Sequence, residues 1–392
     1  MSLRLIMLEY QQFGLGLTAL AVSFAVCLLI VLSQKWHGKL SHDHDLNGVQ
    51  KVHTTAVPRI GGIGVMAGVL LGLALFQMLA PAGVNPLHSA DIRLLLLASL
   101  PAFLAGLIED FTKRVSVRVR LAATAMSAMI ASAALGATVT ELDLWGVDTL
   151  LAFAPFAIIV TAVVVSGGSN AINIIDGFNG LSSSTIIIMS AGLAAVGLQH
   201  GDHLVVAIGA LCIGATAGFL ALNYPFGKLF LGDGGAYFLG FLVSEMAVLL
   251  LVRNPSVNAW QVLAICGYPV IEVLFSMYRR RVIKNVSPGA PDALHLHTLV
   301  YRRLVFKHVR RDASRPWNRN ASVVCFIAPA VTMCVAVSVV AGASAPVSLA
   351  IVAAQLALYI VVYGRLVRGR WGVAGRASAD AISASANASS SS

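Results

Sequence analysis

The chain carries eleven apolar stretches, each close to the length that a helix needs to cross a bilayer, and this limits its folds more than any motif does. They fall at 13–33, 60–80, 92–108, 121–137, 150–166, 184–199, 204–222, 235–252, 259–278, 321–342 and 346–364. A hydrocarbon core of about 30 Å takes about 20 helical residues. Inside lipid every backbone N–H and C=O must find a partner within its own segment or a closed barrel. The expected fold class is therefore an all-α polytopic membrane protein with about eleven transmembrane helices. Composition agrees: 58% of the 392 residues are hydrophobic and 11% charged, against about 25% charged in a soluble domain. A soluble, disordered, collagenous or small disulfide-built protein is excluded. The first run is long enough to span and reads as an uncleaved helix. Residues 1–373 are expected to form one integral-membrane domain, and the Ala/Ser-rich stretch 374–392 a disordered tail. Cys27, Cys212, Cys266, Cys325 and Cys334 all lie in apolar stretches without a CxxC pair, so they read as small buried residues.

Net charge is +10, which in a soluble protein would suggest nucleic acid. Its distribution indicates topology instead. With the N-terminus outside and the C-terminus cytosolic, 24 of the 27 Lys and Arg residues fall in segments on the inner face. That is a strong positive-inside bias, so no nucleic-acid partner is required.

Under this topology the unusual polar clusters also converge on the inner face. Glu109-Asp110 ends the third span and is followed by Lys113-Arg114. Adjacent carboxylates beside cations suit a magnesium–phosphate site; the plain alternative is a helix end with mixed interfacial charge. Asn170, Asn173, Asp176 and Asn179 recur every third residue, so a helical turn would align them on one face. Interhelical hydrogen bonding is the alternative there. Asp233 sits among Gly232, Gly234 and Gly235 with little steric cover, as a ligand that must meet bulky phosphates would; a plain turn is the alternative. His295-Leu-His297 lies in the most basic inner loop and suits a diphosphate. Lys51-Val-His53 and Pro58-Arg59 precede the second span and read as a phosphate-contacting loop or a basic interfacial one. Glu245 and Glu272 are the carboxylates well inside spans. No Walker A loop, dinucleotide fingerprint or serine-hydrolase elbow occurs.

In this order, over roughly residues 35–300, these segments resemble the polyprenyl-phosphate N-acetylhexosamine-1-phosphate transferases of glycosyltransferase family 4. The family includes WecA-like and MraY-like enzymes. The resemblance implies a multi-pass protein of the bacterial inner membrane whose active site faces the cytosol. It implies transfer of a sugar-1-phosphate, here an N-acetylhexosamine-1-phosphate, from a UDP-sugar to undecaprenyl phosphate with release of UMP. That step would initiate a lipid-linked cell-surface glycan. Mg²⁺, or Mn²⁺ in its place, is the implied cofactor, with Asn173 and Asp233 as its ligands. Asp110, Asp176 and Glu109 are the implied catalytic set. Lys51, His53, Asn170, Asn179, His295 and His297 are implied to contact substrate. Three positions depart from the family pattern: Glu109 stands for an Asp, Asn179 for a second Asp, and Thr298 for a further His. The Pro-Asp-x-x-His-Leu-His form is closer to WecA-like members.

Phosphoryl transfer between two anions depends on positioning and charge neutralisation. Direct attack by the prenyl phosphate and a two-step route through Asp176 or Asp110 both remain open at this point. So do the identity of the sugar, the glycan pathway and pairing of protomers into a homodimer. The rival reading is a membrane transporter of a lipid-linked sugar or ion, which predicts ionisable residues near the bilayer midplane.

Overall fold

The computed structural model describes residues 3–41, 56–79 and 88–369, apart from 284, 286, 288–291, 293, 311 and 316. Lys51, His53 and the 374–392 stretch lie outside the described residues. Among the described residues there is no strand, and nine helices are long and apolar enough to cross a membrane; two bent pairs bring the number to eleven. We label them α1 (Leu3–Leu32), α2 (Gly61–Leu79), α3 (Ser89–Ala98 bent into Leu100–Thr112), α4 (Val117–Leu135), α5 (Ala154–Ile175) and α6 (Leu181–Gln199). The rest are α7 (His203–Asn223), α8 (Gly232–Arg253), α9 (Ala259–Ile265 bent into Gly267–Tyr278), α10 (Asn318–Ala341) and α11 (Ala345–Val367). The protein is a multi-pass membrane protein, as the eleven apolar runs require.

The breaks have local causes. α3 bends by 44° where the Ser99 hydroxyl donates back to the Leu96 carbonyl at 2.7 Å and Pro101 brings no N–H to the ladder. α9 bends by 86° at Cys266, ahead of Pro269, and Gln355 of α11 donates to the Ala264 carbonyl beside the break at 3.0 Å. The fifth span runs further than its apolar stretch suggests. Residues up to Ile175 are helical, so Asn170 and Asn173 belong to α5 and not to an inner loop. Two amides can stay in the helix because α8 supplies partners for both, as described below.

α8 is the central helix, buried along most of its length and packed on α5, α3 and α2. Small residues let these backbones approach. α1 packs against α7 and α2, and at one crossing a Cβ on Gly214 would stand 2.0 Å from the Gly16 carbonyl oxygen. At the end of the bundle where α6 passes into α7, Asp202 accepts from Arg253 Nε at 2.8 Å and Asn254 Nδ2 at 3.0 Å while capping α7. Burial alone would raise that carboxyl, but these donors hold it below the usual Asp range.

Candidate active site at one end of the bundle

The site is organised around the first turn of α8. Residues 58–62 pair with 230–231: Phe230 N donates to Pro58 O at 2.8 Å, Gly61 N to Phe230 O at 2.9 Å and Gly62 N to Leu231 O at 2.8 Å. This places Arg59 beside the entry to α8. Gly232 takes φ +75°, and a Cβ there would meet the Arg59 carbonyl and the Asp110 carboxylate. Only glycine suits both the left-handed backbone and the missing space.

Asp110 reaches this turn from the end of α3. Its two carboxylate oxygens accept the backbone N–H groups of Asp233 at 2.8 Å and Gly234 at 2.9 Å. A carboxylate at a helix N-terminus satisfies donors that have no partner within the helix and complements its dipole. Arg59 Nε also lies 3.2 Å from Asp110 Oδ1. Asp110 is 1% exposed, so these bonds hold it in one place.

Asp233 receives three side chains from three elements. Asn173 Nδ2 of α5 donates to Oδ1 at 2.9 Å, Arg59 Nη2 lies 3.4 Å from the same oxygen, and Arg120 of α4 pairs with Oδ2. The Arg120 guanidinium lies 5.4 Å from the centre of the Tyr237 ring, and Tyr237 donates to Asn170 Oδ1 at 3.1 Å. Asn170 and Asn173 thus share the face of α5 that meets α8, as their spacing suggests.

The shared face ends with these two residues. α5 ends at Ile175, and Asp176 caps it, accepting from Ser182 Oγ at 2.5 Å. The protein around Asp176 pushes its carboxyl up to about 6 by burial, although Ser182 and Arg59 pull the other way. Asn179 is turned elsewhere. Its N–H donates to Asn320 of α10 at 2.7 Å and its Nδ2 to Pro225 O at 3.0 Å, so it holds the α5–α6 turn against the 223–231 loop. Glu109 accepts Val115 N–H at 2.6 Å and closes the α3–α4 connection.

His295 and His297 stack at 5.3 Å with their rings 12° apart. His297 packs edge-on to Phe178 at 5.5 Å and lies against Gly177, so the imidazole pair abuts the turn that carries Asp176. Burial pushes the His297 imidazole down to about 4, leaving it neutral near pH 7. His295 Nδ1 lies 2.8 Å from Glu272 Oε1 of α9.

Asp110, Asn173, Asp176, Asp233 and the histidine pair are therefore brought to one end of the bundle. Sequence reasoning missed Arg120 and Tyr237. An arginine directly ahead of the 121–137 apolar stretch was the available signal, but Arg120 entered only as one of the inner-face cations.

Among the described residues no group of three or more His, Cys, Asp or Glu side chains gathers tightly enough to hold a metal alone. Asp110 and Asp233 with the Asn173 amide suit a hard divalent cation instead, because Mg²⁺ takes one or two carboxylates and completes its shell with substrate phosphates and water. Turning the Asn173 amide by 180° presents its oxygen without changing its shape. Arg59 reaches both Asp110 and Asp233, and Arg120 pairs with Asp233.

Carboxylates, guanidinium groups and imidazoles gathered at one end of a lipid-spanning bundle define a membrane-embedded site for phosphate-bearing substrates. The glycosyl transferase family 4 model matches residues 92–251, which hold Asp110, Arg120, Asn173, Asp176 and Asp233. An undecaprenyl-phosphate α-N-acetylglucosaminyl 1-phosphate transferase of Thermotoga maritima is 29% identical over 255 residues, covering 65% of this chain and 72% of the relative. A decaprenyl-phosphate N-acetylglucosaminephosphotransferase of Mycobacterium leprae is 26% identical, covering 76% and 77%. A Saccharolobus solfataricus protein provisionally assigned as a UDP-N-acetylglucosamine–dolichyl-phosphate N-acetylglucosaminephosphotransferase is 30% identical, covering 62% and 72%. The chain belongs to glycosyl transferase family 4.

Proposed function

We propose that the protein transfers N-acetylhexosamine-1-phosphate from a UDP-sugar to undecaprenyl phosphate, releasing UMP and starting a lipid-linked glycan, with Mg²⁺ bound and the site facing the cytosol. The observation that carries this reading is the Asp233 cluster, where Arg59, Arg120 and Asn173 converge on the N-terminal turn of a helix. Relatives named for this transfer on polyprenyl phosphates support the acceptor and the sugar. An apolar cavity of about 530 Å³ between α5, α8 and α9, lined by Gly167, Gly168, Ile172, Val243, Pro269 and Met277 among others, is suited to a prenyl chain.

In the reaction an oxygen of the prenyl phosphate attacks the sugar-bearing phosphorus, and the bond to the UMP oxygen breaks. Arg59 and Arg120 offset charge on the phosphates, and the N–H groups at the start of α8 add their dipole. Asp110 holds that turn in position. Asp176, with its carboxyl raised to about 6, takes up a proton from a monoprotonated prenyl phosphate. His295 and His297 bind the departing UMP phosphate. Asp233 and Asn173, with Asp110 beside them, would hold Mg²⁺, which when bound supplies charge neutralisation on the diphosphate.

Purified protein given labelled UDP-N-acetylglucosamine and undecaprenyl phosphate should yield chloroform-extractable label and an equal amount of UMP. EDTA should stop this and Mg²⁺ restore it. Absence of both products across a panel of UDP-sugars would refute the reading. An Asp233→Ala variant working at the wild-type rate would refute the role of that cluster.

A further inference from the structure

Glu272 is a carboxylate buried in a membrane-spanning helix, and its surroundings explain why that is tolerated. It is 0% exposed on α9. Oε1 pairs with His295 Nδ1 at 2.8 Å, and the Leu296 N–H lies 3.3 Å from Oε1 and 3.1 Å from Oε2. Tyr359 of α11 donates to Oε2 at 3.0 Å. Every oxygen has a donor, so the desolvation of the carboxylate is offset. Neighbouring groups form a second clasp on the same loop. Arg279 of the π-helical turn after α9 pairs with Asp292 and with the hydroxyl of Tyr363, and it donates to the Leu294 carbonyl at 2.5 Å. Tyr359 and Tyr363 lie one turn apart on α11 with rings 13° from parallel. By contrast, Glu245 in α8 is equally buried and neither of its oxygens is hydrogen-bonded among the described residues.

A carboxylate that accepts from one nitrogen of an imidazole decides which nitrogen carries the proton and fixes the plane of the ring. With Nδ1–H directed at Glu272, the other nitrogen of His295 is left for whatever enters the site. We infer that Glu272 is a positioning residue: it sets the tautomer and orientation of His295 so that Nε2 addresses the substrate phosphates, and Tyr359 of the last helix locks it in place. This rests on the proposed function for its catalytic consequence but not for its structural content.

The groups facing this pair are His297, Asp292, Arg279, Tyr268, Tyr359 and Tyr363. The test uses the full-length protein in detergent with ¹⁵N-labelled histidine. In the wild type His295 should be Nδ1-protonated in its neutral form. Glu272→Gln keeps the volume and lowers the acceptor strength, and the Nε2-protonated form should gain. Its kcat should fall by about 10- to 100-fold, taking as the scale the loss of an outer partner of a metal-ligating histidine. KM for the UDP-sugar should stay within about threefold, because the loss lies in transition-state charge. Tyr359→Phe should fall less, by about two- to threefold, with the tautomer only partly changed. An unchanged tautomer in Glu272→Gln overturns the inference, whether kcat is retained or falls only with the amount of folded protein. If the wild type transfers no sugar at all, the proposed function fails, while the wild-type and variant tautomers still decide the role of Glu272.

Discussion

Gly106 is where one methyl group should disable the site without touching its chemistry. A Cβ at this position of α3 would lie 2.5 Å from the Asp233 carbonyl oxygen, 2.6 Å from its carbon and 2.6 Å from Gly234 N. All three are backbone atoms of the first turn of α8, so no side chain can swing aside. Ordinary contact begins near 3.4 Å, so α8 must withdraw by about 0.9 Å (3.4 − 2.5). Movement of that size along the Asp110 hydrogen bonds would stretch 2.8 and 2.9 Å to about 3.7 and 3.8 Å, beyond useful range. A displacement of about 1 Å in a catalytic constellation costs on the order of 100-fold in rate, and overpacking costs about 1–3 kcal/mol in stability. Gly106→Ala should therefore lower kcat/KM in the labelled-sugar assay by about two orders of magnitude and reduce the melting temperature in detergent. Gly364→Ala on α11 is the control, since its Cβ would meet nothing closer than the Arg368 guanidinium at 3.9 Å. It should be neutral or slightly stabilising. A Gly106→Ala variant with wild-type rate and melting temperature would show that the α3–α8 contact does not set the site.

Removing a guanidinium tests charge rather than fit: Arg120→Met should lower kcat/KM by about 100-fold, with Arg120→Lys intermediate, and equal rates for all three would rule out a role for Arg120 at Asp233. Asp202→Ala removes the α7 cap and the acceptor for Arg253 and Asn254 at the opposite end of the bundle. It should cost about 1–3 kcal/mol of stability yet leave the rate per folded molecule unchanged, as read by denaturation and active-site titration. The His297 imidazole predicts a pH-dependent stability. Its folded value of about 4 lies below the unfolded 6.5, so the unfolded chain takes up the proton first as pH falls. Stability is complete above pH 6.5 and declines toward pH 4, by up to about 3 kcal/mol for a gap of about 2.5 at about 1.36 kcal/mol per unit. His297→Phe should flatten the melting-temperature profile in that window, and an unchanged slope would refute the assignment.

How much could be read in advance follows from which residues answer to the solvent and which to each other. The eleven spans were legible because lipid imposes length and apolarity on each helix separately. Their polar ends were not: α5 continues to Ile175 because Asp233 and Tyr237, some 60 residues later, satisfy Asn173 and Asn170. The three-residue rhythm of Asn170, Asn173, Asp176 and Asn179 gave the right face for the first two. It misled for Asn179, because the chain leaves the helix at Asp176 and Gly180 takes φ +79°. Arg120 was hidden by a charge count that explained it as an inner-face cation, whereas Arg59 stood in a loop already read as phosphate-contacting or interfacial. The link between Glu272 and His295 spans 23 residues and a 3.1 Å bond to Leu296 N–H, and no local pattern announces it.

The placement of the site follows from the cost of charge in lipid and from the alternation of the helices. An ionised side chain near the bilayer centre costs about 2.5–3.5 kcal/mol on insertion scales, so charged groups belong at helix ends. Successive spans run in opposite directions, so one end of the bundle is built from the C-terminal ends of odd helices and the N-terminal ends of even ones. The site obeys this rule throughout. Asp110 and Asn173 come from the ends of α3 and α5, while Arg59, Arg120, Ser182, Asp233 and Asn320 come from the starts of α2, α4, α6, α8 and α10. The Asp202–Arg253 cluster and the bond from Ala259 N to Asp143 have the opposite parity, joining the end of α8 to the start of α7 and the α4–α5 connection to the start of α9. Even helices also present their free N–H groups to the site end, where anions gain from them. Parity therefore puts one kind of dipole terminus and the converging cations on the same surface. That arrangement serves a pair of phosphate-bearing substrates, one of them anchored in the lipid.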